Sequence, residues 1–209
     1  MFIVLEGPDG AGKSVQATRL AEWLCVRGLT VVQTREPGGT ATGDEIRAIL
    51  LQSDHLHLHA ETEALLMSAA RAQHVHEVLL PALERGDAIV CDRYADSTYA
   101  YQGGGRQLNM EQLAVIQHFA TGGLVPNLRI LLDLPVEVGL NRRHGDAGQI
   151  NRIDRESLAF HERVRQTFLE LAHADPSSWT IIDASADIET VTAAIRIAVV
   201  AHFHLAVTS

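Results

Sequence analysis

The stretch Glu6 to Val15 reads EGPDGAGKSV and follows directly on the apolar run Phe2-Ile3-Val4-Leu5. Glycines end strands and permit tight turns, so a bare strand–helix turn is one reading of it. A phosphate cradle is the other, because Gly7-Pro8-Asp9-Gly10-Ala11-Gly12-Lys13-Ser14 fits G-x-x-x-x-G-K-[ST] at every position. In that reading the backbone N–H groups of the loop (Pro8 excepted, having none) and of the helix start surround the β-phosphate of ATP. Lys13 bridges the β- and γ-phosphates, and the Ser14 hydroxyl ligates Mg²⁺. Arginine fills sixteen positions and lysine only one, Lys13. A chain that uses arginine everywhere else keeps its one compact ammonium inside GAGKS, where a planar fork will not serve. The lone lysine decides for the cradle.

Outward from the loop, apolar runs bounded by turn residues fall at 2–6, 29–34, 88–92, 128–134 and 179–184. They are short, β-branched and apolar on successive positions, as strands buried on both faces are. Helical patterns lie between them at 14–27, 61–85 (with a kink expected near Pro81), 110–121, 135–143, 156–174 and 187–206. Strands alternating with helices predict an α/β fold of the P-loop NTPase type: a five-stranded parallel sheet covered by helices on both faces. The 209 residues are read as one domain, 1–209, with an exposed, mobile LID loop at about 142–155.

Composition is that of a soluble globular chain, with 46% hydrophobic and 21% charged residues. A formal charge of −9 argues against a nucleic-acid or anionic-membrane surface. Cys25 and Cys91 make no disulfide framework, and the N-terminus opens straight into a strand pattern without a leader-like segment. The apolar tail at 193–207 is interrupted by Arg196, His202 and His204 and reads as a closing helix, not a membrane span. The expected compartment is the cytoplasm.

Functional residues in such sheets gather beyond the carboxyl ends of the strands. Two further segments there carry chemistry. Asp92-Arg93 ends an apolar strand; the carboxylate suits Mg²⁺, and the guanidinium suits a transferring phosphoryl group. Arg35-Glu36-Pro37-Gly38-Gly39-Thr40 follows the second strand, with Arg35 as an anchor for a second phosphate.

Together these segments resemble the thymidylate kinases, nucleoside-monophosphate kinases of which this chain looks like the bacterial type. DRYADSTYAYQ at 92–102 matches the family's D-R-Y-x-x-S-x-x-A-Y-Q signature, REPGGT its second segment, ARAQH at 70–74 its base-reading helix, and LLDLPVEVGL at 131–140 its fourth strand. The resemblance implies ATP-dependent phosphorylation of dTMP to dTDP for dTTP synthesis, with Mg²⁺, in a homodimer. It implies that Arg35 and Arg93 hold the dTMP phosphate, with Glu36 beside them, and that Arg71 reads the base with Ser97 and Gln102 near it. The resemblance also implies that Tyr101 lies against the sugar and disfavours a 2′-hydroxyl. By the same resemblance Asp9 is expected to contact the phosphate region or its metal network, alongside Ser14 and Asp92 as the expected metal ligands.

The chain departs from the family at two places. Met67 stands where a phenylalanine usually stacks on thymine. The LID offers Arg142, Arg143 and Arg152, with His144, Gly145 and Asp146 where more basic residues often stand. Arg142 is assigned to ATP, and Arg143 and Arg152 join Lys13 and Arg93 as the catalytic cations. Arg152 fits the family's D-R-x-E closest, although Asn151 replaces its aspartate.

The rival readings are another P-loop small-molecule kinase, a nucleotide-gated switch and an inactive binding protein. A switch calls for a guanine-reading N-K-x-D, and the only lysine is already in the loop. His55, His57 and His59 read as a solvated loop, Trp23 and Trp179 as core, and Cys91 as a small buried hydrophobe.

Overall fold

The computed structural model describes residues 1–51, 56–145 and 150–205. His55, Asp146 and the tail beyond residue 205 lie outside the described residues, as does the part of the expected LID between 146 and 149. The strands are β1 (Phe2–Glu6), β2 (Val31–Arg35), β3 (Ala88–Asp92), β4 (Leu128–Asp133) and β5 (Trp179–Asp183). They pair in parallel in the order β2-β3-β1-β4-β5, with Leu5 opposite both Asp92 and Ile130.

Alternation along the strands divides the core into two faces. Ile3, Leu5, Val90, Ile130 and Leu132 pack on one side against α1 (Lys13–Val26) and α9 (Ile188–Phe203). Phe2, Val4, Ile89 and Cys91 face the other side, towards Val75, Leu79 and Ala82, and Leu131 and Trp179 meet Phe160, Val164 and Phe168 of α8 (Leu158–Ala174). The strands expected from the sequence and the two-sided cover are both present. Among the described residues no helix is long and apolar enough to cross a membrane.

Three local features differ from the sequence expectation. A helix, α2 (Ala41–Leu51), stands where none was read. The expected long helix is α3 (Ala60–His74), a π-helical turn at Val75–Leu79 and α4 (Leu80–Glu84). Its irregularity therefore precedes Pro81, whose ring nitrogen has no hydrogen for the carbonyl one turn back. The signature after β3 coils into α5 (Ala95–Thr98) and a second π-helical turn, Tyr99–Gly105. The remaining helices are α6 (Met110–Thr121), capped by the Asn109 side chain, and α7 (Val136–Gly145).

Candidate active site

A cavity of 1170 Å³ opens at the carboxyl ends of the strands, where β1 lies between β3 and β4 and the connections diverge. Its walls come from the loop 7–14, the ends of β2 and β3, helix α3, the π-helical turn and Arg142 and Arg143.

The loop is shaped for close approach. Gly12 caps α1 at φ 83°, and Gly10 sits at φ 78° with its Cα so near α7 that an added Cβ would lie 2.1 Å from the Gly139 carbonyl oxygen. Lys13 is buried and donates from Nζ to the carbonyls of Gly7 (3.0 Å) and Pro8 (2.7 Å). Burial and the neighbouring Arg93 lower its pKa to about 8 against the pull of Asp9 and Asp92. Ser14 Oγ donates to Asp92 Oδ2 at 2.5 Å. Two hard oxygen donors thus meet at the mouth of the loop, as a Mg²⁺ site asks.

Arg93 joins the loop to the rest of the cavity. Its backbone is left-handed (φ 71°), an uncommon state for a side chain of this size. The guanidinium donates to Gly7 O (3.0 Å), Ser97 Oγ (3.1 Å), Asp9 Oδ1 (2.8 Å) and Tyr101 Oη (2.9 Å). Tyr101 Oη in turn donates to Asp9 Oδ2 at 2.7 Å. Burial alone would raise the Asp9 carboxyl, but Arg93, Lys13 and the tyrosine hydroxyl hold it down at about 2. Both oxygens of Asp9 are thereby engaged in positioning Arg93. Ser97 lines the cavity, passes its hydroxyl hydrogen to the buried Glu6 (2.6 Å) and accepts from Arg93 (3.1 Å).

The wall opposite the loop is built on α3. Arg71 is buried and held by Glu36 Oε2 (2.7 Å), Thr98 Oγ1 (2.8 Å), the Tyr94 carbonyl (2.9 Å) and, through a very short contact, Gln117 Oε1. Glu36 also meets His74 Nδ1 at 2.9 Å, and the other ring nitrogen lies 2.7 Å from Thr34 Oγ1. Met67, half-buried, and Gln102 share this wall. Arg35 is largely exposed at the rim, 3.4 Å from Asp44, beside Arg47, which donates to the Pro37 carbonyl. Burial and the nearby Arg35 depress the Arg47 pKa, the signature of two cations sharing a small space.

The three LID arginines separate. Arg142 donates to the carbonyls of Ala184 and Ser185 beyond β5 and lines the cavity. Arg143 also lines it, paired with Asp154 at 2.7 Å. Arg152 is directed elsewhere: it bonds to the Leu50 carbonyl and to Glu63 and is absent from the cavity wall.

Sequence reasoning did not single out Arg47, Glu63, Thr98, Gln117 or Gly139. Arg47 had a usable signal, the amphipathic run after REPGGT. The others look like ordinary helix residues until the chain folds.

Residues 5–195 match the family model described as thymidylate kinase. Curated relatives carrying the same name include one from Thermomicrobium roseum, 51% identical over 194 residues (93% of this chain, 91% of the relative). Another, from Pseudomonas savastanoi pv. phaseolicola, is 47% identical over 93% of this chain and 92% of its own length. A third, from Pseudomonas putida, is 48% identical over 93% and 94%.

Proposed function

This chain belongs to the thymidylate kinase family, whose reaction is the ATP-dependent phosphorylation of dTMP to dTDP, and we propose how its own residues divide that work. A dTMP 5′-phosphate is already ionised and needs no strong base. Its oxygen attacks the γ-phosphorus in line as the bond to the β–γ bridging oxygen breaks, so catalysis consists of positioning and charge neutralisation.

The loop amides and the Lys13 ammonium receive the ATP phosphates. Arg142, fixed on the carbonyls beyond β5, lines the ATP side. Arg35, Arg47 and Arg93 receive the dTMP phosphate, and Arg143, which lines the same cavity, is the LID cation assigned to the transferring group. Arg71 and Gln102 read the base, Met67 lies under it and Tyr101 flanks the sugar. Ser14 and Asp92 would hold Mg²⁺, which when bound spreads the negative charge of the triphosphate.

The observation that carries this division is Arg93. One guanidinium touches the loop carbonyl at Gly7 and the acceptor-side residues Ser97 and Tyr101, so it is held between the donor and acceptor sides of the transfer. We further infer a single kinase domain working in the cytoplasm as a homodimer. Apolar side chains left exposed on two helices packed together support the pairing: Leu65 (56%) on α3, and Val115 (71%) and Phe119 (89%) on α6.

The test is ADP formation from ATP and Mg²⁺ with each nucleoside monophosphate in turn. dTMP should give the highest kcat/KM. A purine monophosphate preferred over dTMP would overturn the assignment of the base-reading wall, and ADP formation indifferent to every acceptor would overturn the transfer scheme.

A further inference from the structure

Glu63, on α3, is completely buried and lies outside the residues assigned above to either substrate. Its carboxylate accepts from Gln102 Nε2 at 2.8 Å, from Arg106 Nε at 3.2 Å and Nη2 at 3.1 Å, and from Arg152 Nη2. Arg106 also pairs with Glu156 at 2.6 Å, which gives the cluster a second carboxylate. Burial by itself would push the Glu63 carboxyl up. The hydrogen bonds from Arg106, Gln102 and Arg152 outweigh it and keep the group ionised.

An ionised carboxylate is an acceptor only. The amide of Gln102 must therefore turn its nitrogen towards Glu63, whichever way an amide is drawn, and its Oε1 is the atom left for the cavity that Gln102 lines. Among the described residues no donor engages that oxygen. The base beyond it must then present a hydrogen-bond donor. Thymine and uracil do so at N3–H; cytosine has a bare N3 there and would face the oxygen acceptor to acceptor. Arg71, a donor, already suits the neighbouring carbonyl of thymine.

We propose that Glu63 is a specificity-determining positioning residue: by fixing the orientation of the Gln102 amide, it selects a pyrimidine with N3–H and rejects the cytosine pattern. Arg106 and Arg152 serve it by holding its charge in place. This rests on the reading of Gln102 as a base contact, so that reading needs its own arm in the experiment.

The experiment compares kcat/KM for dTMP and dCMP in wild type, Glu63→Gln, Gln102→Ala and the double variant. A glutamine at 63 can donate or accept, which releases the amide of Gln102 to turn over. The dTMP/dCMP ratio should fall at least about tenfold in Glu63→Gln, mainly through a higher dTMP KM and a lower dCMP KM. The double variant should show the ratio of Gln102→Ala alone, because the two residues act as a unit. A folded Glu63→Gln with the wild-type ratio overturns the proposal, and so does an equal loss on both substrates. A Gln102→Ala with unchanged dTMP KM instead overturns the base-contact reading beneath it. Should Glu63→Gln not fold, Glu63→Asp keeps the negative charge but draws the carboxylate back by one methylene, which lengthens the 2.8 Å reach from Gln102. That variant should lower the ratio in the same direction, and a folded Glu63→Asp with an unchanged ratio counts against the proposal.

Discussion

Arg93 Nη2 stands 2.8 Å from Asp9 Oδ1, tying the end of β3 to the loop after β1 across 84 positions of sequence. The pair is mostly buried, and an arginine is left charged there because Tyr101, Asp9, Asp92 and Glu6 together outweigh the cost of burying it. The cation proposed to meet the phosphoryl group is thus set in place before any substrate arrives, which is the condition for electrostatic catalysis without reorganisation.

Tyr101 carries more than bulk in that arrangement. Its hydroxyl donates to Asp9 and accepts from Arg93, so Tyr101→Phe removes a buried link from the network. Losing these two buried hydrogen bonds costs about 1–3 kcal/mol, and kcat/KM for dTMP should fall roughly tenfold. Steady-state kinetics at matched dTMP concentrations check it. An unchanged value would leave the ring's shape as its only role.

Lys13→Met should leave a folded protein whose kcat is lower by at least about a hundredfold, because the lost charge acts on the transition state. Circular dichroism and ADP release read fold and turnover separately. Near-normal turnover would remove the cradle from the mechanism.

Gly10→Ala should destabilise the protein by about 1–3 kcal/mol. The new Cβ meets the Gly139 carbonyl oxygen, a backbone atom that cannot swing aside, at 2.1 Å and in a left-handed conformation. Thermal melting measures the loss, and the KM for ATP should rise as the loop shifts from α7. An unchanged Tm would show that the loop and α7 do not pack this closely in solution.

Burial and the neighbouring Asp96 push the carboxyl of Glu6 up to about 7. A carboxyl with a folded pKa above its unfolded value adds stability below the unfolded value, about 4.5. That stability fades as pH rises towards 7. Glu6→Gln should therefore flatten the decline of stability across this window, read by urea unfolding at pH 5 and pH 7.5. A steeper decline in the variant would reverse the assignment.

Met67→Phe should lower the KM for dTMP. Met67 is half-buried in the cavity wall, and a ring there adds stacking worth on the order of 1 kcal/mol, roughly fivefold in KM. Kinetics with dTMP and dUMP on both proteins decide it. A higher KM would mean that the wall has no room for the ring.

The strands, their parallel direction and the phosphate-binding loop were legible in the linear chain because each rests on local pattern; the order β2-β3-β1-β4-β5 was not, since it sets β1 between strands far away in sequence. Apolar β-branched runs declare buried strands by composition alone, and the loop needs its glycines and Lys13 contiguous for their amides to converge. The DRYADSTYAYQ segment likewise named its residues, although not their partners. What folding alone decided is who meets whom. Ser97 went to Glu6 and Arg93, both oxygens of Asp9 went to Arg93 and Tyr101, and Arg152 went to Glu63, a residue 89 positions away. Nothing in ETEALL marks Glu63 as different from a solvated helix glutamate. Its chemistry arises only once burial removes water and leaves the arginines and Gln102 as the groups able to satisfy its charge.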